Sequence, residues 1–404
     1  MSRSPLPMHD APPVSPMVHP VLLAKGFRPF FLVGALFVGI ALPVWSLVLS
    51  GRMGAPTYLD TVTWHAHEMV FGFGAAILAG FLLTAVGNWT QSETAVGGPL
   101  LGLVAAWGLG RFAMMASELL PPAVVAGLDA LFLPLLTITL ARPIVRARNT
   151  RNYPVIVALL ALTTANVLVH LDALGVVAAL RRRAMLVSVD VIVFFLVLVT
   201  GRVVAMFTKN ATRAASCRND PRLESAASIA AAAVLVVDAL VVGPSLPRAV
   251  VLAVAAILVA ARAFHWGARA SLGEPMLWIL HVGHGFLPLG LALRALAEVS
   301  SRVPQSLGMH AITAGAIGSL CLGMMARVSL GHTGRAITAP RGIPLAFVAV
   351  VVAALVRMSA AVFPVGASLA LLVGSALTLA VAFVVFAVTY ARILVGPRAD
   401  GKAG

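Results

Sequence analysis

The chain has 404 residues, 60% of them hydrophobic and only 11% charged, with a formal net charge of +15. Soluble domains carry roughly 25% charged residues, so this composition excludes an ordinary soluble globule. The basic excess does not indicate nucleic acid either, because the cations lie between long apolar runs, as in the cytoplasmic loops of membrane proteins.

Residues 1–25 are polar and Pro-rich and lack the central apolar region of a signal peptide, so they are expected to form a disordered cytoplasmic tail. A membrane-spanning helix needs about 20 mostly apolar residues. Twelve such runs follow, beginning near Pro29, Trp64, Gly98, Pro121, Tyr153, Met185, Glu224, Leu246, Glu274, Gln305, Gly342 and Val365. The expected fold is therefore all-α, a polytopic bundle over residues 26–395 embedded in the lipid bilayer, with a short cytoplasmic tail at 396–404. An even number of spans puts both ends on one side. That side holds most of the Lys and Arg, including the groups at Arg142–Arg151 and Lys209–Arg222, so both termini are expected to be cytoplasmic. The run Arg181–Arg183 falls on the other side and is the local exception. Cys217 and Cys321 lie in different regions and imply no disulfide framework. No C-x-x-C-H motif occurs, so any haem is held non-covalently.

Seven histidines lie inside or at the ends of the apolar runs: His65, His67, His170, His281, His284, His310 and His332. Ionisable groups persist in a bilayer only where they are paired, solvated or functional, and neutral imidazole is the commonest metal ligand. With the expected orientation, His65, His67, His170 and His310 fall at the outer ends of their spans and His281 and His284 near the middle of the ninth. Five or six imidazoles are thus expected to converge in the outer half. His332 lies roughly 33 Å along a helix from His310, at the cytoplasmic end. His65 and His67 are two residues apart, about 200° around a helix, so they point to different sides and suit two different sites. His281 and His284 share a face and suit one. The alternative for His65, His67, His170 and His310 is a polar anchor at the membrane interface. Stripes of small residues, Gly72/Ala76/Gly80/Thr84 and Ala311/Gly315/Ser319/Gly323, suit close helix packing and also a flat macrocycle. Glu68, beside His67, is the leading proton carrier. The buried acids Asp129, Asp190 and Asp238 are candidates to orient imidazoles, to carry protons or to pair with Arg111 or Arg357.

Several motifs in order resemble the NnrS family: GFRPFF at Gly26–Phe31, WHAHEM at Trp64–Met69, GFLLTAVGNWT at Gly80–Thr90, GRVVAMFTKNA at Gly201–Ala211, WILHVGH at Trp278–His284 and MMARVSLGHTGR at Met324–Arg335. The resemblance implies a twelve-helix protein of the bacterial inner membrane that contains haem and copper and is associated with nitric oxide metabolism, denitrification and nitrosative stress. It implies ligand roles for His65, His67, His281, His284 and His332, to which helix depth adds His170 and His310. Haem–copper oxidase and nitric-oxide reductase catalytic subunits are more distantly similar, through His67, Met69 and Gly87-Asn88-Trp89. The chain lacks their adjacent His-His pair and His-x-x-x-Tyr, so oxidase activity is not inferred.

The leading functional expectation is a haem–copper protein that binds or turns over nitric oxide or a related small molecule. Turnover would require a quinol or another electron donor. A proton-coupled carrier and a non-catalytic haem or copper sensor are the alternatives.

Overall fold

The computed structural model describes residues 19–212, 217–363 and 365–402. Among them there is no strand. The helices are α1 Phe27–Leu49, α2 Thr61–Thr90, α3 Gly97–Met115, α4 Pro122–Arg146, α5 Thr150–Ala173, α6 Arg181–Thr212, α7 Pro221–Leu240, α8 Leu246–His265, α9 Pro275–Val299, α10 Gln305–His332, α11 Ile343–Ser359 and α12 Val365–Val395. Eleven are long and apolar enough to cross a membrane, and α11 is a shorter apolar helix. Each begins within about one turn of its expected position, because apolar run length fixes a spanning helix. The chain is a multi-pass membrane protein.

Most of the expected tail, residues 1–18, lies outside the described residues. His19 onward belongs to the folded unit: Val21–Leu23 form a 3-10 turn, and Ala24 is buried.

Successive helices run up and down between two faces. On the face carrying the start of α1, Arg28 Nη1 donates to the carbonyls of Leu394 (2.8 Å) and Gly396 (2.9 Å), satisfying acceptors at the end of α12. Phe27 packs against the His332 ring there at 5.7 Å. This is the terminal face. On the far face Arg181 pairs with Asp60 and Asp172, and Arg182 with Gln305. These pairs account for part of the Arg181–Arg183 exception.

Helices α2 and α10 share an unusual construction. Each starts as a short α-helix, widens into a π-helix directly after a histidine, at Glu68–Gly74 and Ala311–Ile317, and returns to α-helix. The two match position by position: His67 with His310, Gly72 with Gly315, Ala76 with Ser319, Gly80 with Gly323. π-Turns are rare and concentrate at functional sites. The stripes leave no room for a macrocycle. A Cβ on Gly72 would lie 2.5 Å from Phe37, and one on Gly315 2.6 Å from Phe286, so neighbouring side chains already fill both notches. Helices α9 and α10 touch backbone to backbone: a Cβ on Gly308 would lie 2.7 Å from the Arg294 nitrogen.

Candidate metal centre

The polar core of the first half is assembled from four neighbouring helices. Near its far end α2 supplies His67 and Glu68, α3 supplies Arg111, α4 supplies Asp129, and α5 supplies Asn166 and His170. All six are buried. Asp60 caps α2 by accepting from the Thr63 amide at 3.0 Å, which fixes where the helix starts and hence the depth of His67. Burial raises the Asp60 carboxyl, but the bonds from Thr63 and the charge of Arg181 outweigh it and leave a lowered pKa. Asn166 and His170 are one turn apart and share a face of α5.

The hydrogen bonds define donors and acceptors. Arg111 Nη1 donates to Glu68 Oε1 at 2.6 Å, and Nη2 donates to Asp129 Oδ1. His67 Nδ1 donates to the same Glu68 oxygen at 3.1 Å. A neutral His67 ring then has its lone pair on Nε2, which faces Asn166 Oδ1 at 3.1 Å and Asp129 Oδ2 at 3.3 Å. The Asn166 amide is oriented by its own Nδ2, which donates to Asp129 Oδ2 at 3.0 Å. His170 Nε2 reaches that carboxylate oxygen as well, at 2.8 Å. So three acceptors, the His67 lone pair, Asn166 Oδ1 and Asp129 Oδ2, converge on one point. The formal charges agree with this: two carboxylates meet one guanidinium, leaving one negative charge uncompensated. In a low-dielectric interior such an excess is costly, and either an additional proton or a metal ion removes it.

The geometry suits a metal. One ligand atom each from His67, Asp129 and His170 all lie within 4.8 Å of one another. Two imidazoles and a carboxylate oxygen make a donor set for a first-row transition ion. Tyr58 Oη lies 3.0 Å from His170 Nδ1, the outer nitrogen, as the partner that orients a ligating imidazole does. Burial pushes the Tyr58 hydroxyl up to about 12, against the lowering effect of Arg181, so it keeps its proton. Tyr58→Phe is expected to weaken metal binding about 10- to 100-fold while leaving the fold intact, read by titration against a competing chelator. Unchanged affinity would remove Tyr58 from the site.

The expected convergence of five or six imidazoles does not occur. His67 and His170 meet here. His65, on the opposite side of α2 as its spacing implies, stacks on Trp45 at 4.3 Å. His281 and His284 lie toward the terminal face. His281 Nε2 bonds Thr208 Oγ1 at 2.9 Å near the end of α6, and His284 Nε2 donates to the Val259 carbonyl at 3.0 Å. They share a face of α9 but bond to different helices. The reason is depth. Thr208 lies about 27 Å along α6 from Asp190, which is in the far half, and the short step from Pro275 keeps both histidines near their own end. His332 lies at the terminal face as expected, its carbonyl accepting from Arg398 Nη1 at 2.8 Å.

Arg294 and Arg248, each near an end of its apolar run, are both buried. Arg294 binds Asp190 at 2.6 Å and also Asp238, while Arg248 binds Asp238 at 2.7 Å and Glu298 at 3.4 Å. Asp190 and Asp238 therefore pair with Arg294, not with Arg111 or Arg357.

Sequence reading did not single out Asn166 or Tyr58. Asn166 carried a signal, as an amide inside an apolar run one turn from a histidine. Tyr58 carried none, because it lies in the loop before α2.

These features define the class: a polytopic, all-helical membrane protein with a buried imidazole–carboxylate centre suited to a metal ion. The chain belongs to the NnrS family, whose model, described as NnrS protein, matches residues 21–398. No curated protein matches the chain.

Proposed function

We propose that this chain is a haem- and copper-binding protein of the bacterial inner membrane that acts in the response to nitric oxide, and that copper occupies the His67–Asp129–His170 centre. The observation that carries the metal reading is the convergence of two imidazoles and a carboxylate on a point short of one positive charge. Univalent copper brings that point to neutrality, and copper and haem are the metals the NnrS resemblance implies. The excess of basic residues in the loops of the terminal face supports cytoplasmic termini.

A copper ion held there supplies a site for a small ligand and one-electron chemistry. The chain's own residues supply the rest. Asp129, fixed by Arg111 and Asn166, holds the imidazoles in register. Burial excludes bulk water, while a small apolar gas can enter from the lipid. Glu68 is the proposed proton-exchanging group: its Oε1 is held by Arg111 and His67, and its Oε2 is buried with no partner among the described residues. The physiological electron donor, a quinol or a protein, would dock elsewhere.

The test is purification in mild detergent after expression with haem and copper supplied, with elemental iron and copper and optical spectra before and after nitric oxide. Wild type is expected to hold both metals and to show a nitric-oxide-induced spectral change. His170→Ala and Asp129→Asn are expected to lose the copper. Absence of copper from folded wild type, or full copper occupancy in both variants, would overturn the assignment.

A further inference from the structure

The second half of the chain buries its own ionic cluster in the far half of the bundle. Arg294 on α9 holds two acids at once: Nη1 donates to Asp190 Oδ1 on α6 at 2.6 Å, and Nη2 donates to Asp238 Oδ2 on α7. The two carboxyl groups therefore sit side by side on the two ends of one guanidinium. Arg248 on α8 extends the row, with Nε 2.7 Å from Asp238 Oδ1 and Nη1 3.4 Å from Glu298 Oε2 on α9. Its terminal nitrogens also donate to the carbonyls of Gly243, at 2.7 Å, and Val241. Helix α10 meets the cluster through Gly308, which lies against Arg294. Among these side chains three carboxylates meet two guanidiniums. Asp190 is 1% exposed, and its Oδ2 is buried with no hydrogen-bond partner among the described residues.

A negative excess in a low-dielectric interior is removed by a metal ion or by a proton. Here the donor atoms decide between them. A hard cation takes about six oxygen ligands. Asp190 offers one oxygen, Oδ2, and both oxygens of Asp238 already face guanidinium nitrogens. Among the described residues no imidazole bonds to either acid, in contrast to the His67–Asp129–His170 centre. A proton needs a single oxygen. We propose that Asp190 is a proton-binding site, carrying a proton on Oδ2, and that this proton exchanges with the far face through Asp238 and Glu298. Depth supports that order. Asp190 lies about 14 Å along α6 from its Arg181 end, whereas Asp238 and Glu298 stand in the last turn of α7 and of α9. Glu298 Oε2 also accepts the amide of Ser245 at 3.0 Å, in the loop between α7 and α8, so the row ends at the far surface. In each transfer an O–H bond breaks on one acid as an O–H bond forms on the next, first from Asp190 to Asp238 and then to Glu298. The two guanidiniums keep their protons and their charge throughout. This proton store is separate from Glu68, which lies on α2 and bonds Arg111 and His67.

The experiment is infrared spectroscopy of the full chain in lipid vesicles at neutral pH, followed through exchange into heavy water, with and without isotope-labelled aspartate. Wild type is expected to show the C=O stretch of a protonated carboxyl that shifts both with the aspartate label and with heavy water. Asp190→Asn is expected to fold as wild type, since an amide matches a neutral carboxyl in shape and charge, and to delete that component. Glu68→Gln is expected to leave it in place. Glu298→Gln is expected to keep the band and to slow its shift in heavy water. A wild-type spectrum with no label-sensitive protonated carboxyl would overturn the proposal without needing any variant. Persistence of the whole band in folded Asp190→Asn would also overturn it. An unchanged exchange rate in Glu298→Gln would overturn the route to the far face. None of these readings requires a bound metal, so they stand whether or not the chain holds copper or haem.

Discussion

Arg111→Met is expected to cost about 3–5 kcal/mol, the usual penalty for leaving buried charges without their partner. Arg111 is the one cation between Glu68 and Asp129, and all three side chains are buried. Its loss leaves two carboxylates facing each other across α2, α3 and α4 with only neutral imidazoles nearby. The measurement is the loss of a monodisperse peak after heating in detergent, followed by size exclusion. The triple variant Arg111→Met, Glu68→Gln, Asp129→Asn is expected to recover most of the stability, because it removes the charges together with their partner. Failure of the triple variant to recover would mean that Arg111 acts through shape rather than charge. Copper supplied during expression is expected to rescue the single variant in part, since it brings positive charge to the same carboxylate.

Arg294→Met is expected to be comparably damaging, again by about 3–5 kcal/mol, but with a different pattern in its control variants. Arg294 ties α9 to Asp190 on α6 and Asp238 on α7, and Arg248 shares Asp238 and reaches Glu298. Three carboxylates here meet two guanidiniums, so one acid is in excess. Asp190→Asn, which removes that excess while keeping the shape, is expected to cost far less than Arg294→Met, in the same heating assay. Equal losses for the two would show that the cluster depends on every hydrogen bond rather than on its charge balance. Neither variant touches the cation centre, so copper content per folded molecule should be unchanged in both.

The two arginines show why part of the site was legible beforehand and part was not. That Arg111 lay inside a span was visible from its apolar surroundings, and a buried cation needs an acid. Arg294 lies toward the end of its run, where position alone suits a loop charge equally well. Nothing local distinguishes a guanidinium that turns inward to an ion cluster from one that reaches out to headgroups. His65 and His67 were separable to different sides of α2 by helical angle alone, because two residues on one helix are governed by a fixed rotation. That His170 joins His67 was not legible, because that depends on how helices far apart in the chain are placed around the bundle.

The sequence by itself determined the class, the count of helices, their starting points to about a turn and the family, because span length and local motif are properties of contiguous residues. Depth was half legible: it placed His332 correctly and drew His281 and His284 too far toward the far face. Only the tertiary structure brought His67, Asp129 and His170 together from three helices. It also revealed that this centre is short of one positive charge. Charge balance in a low-dielectric interior is decided among side chains from different helices, and no stretch of sequence contains that sum.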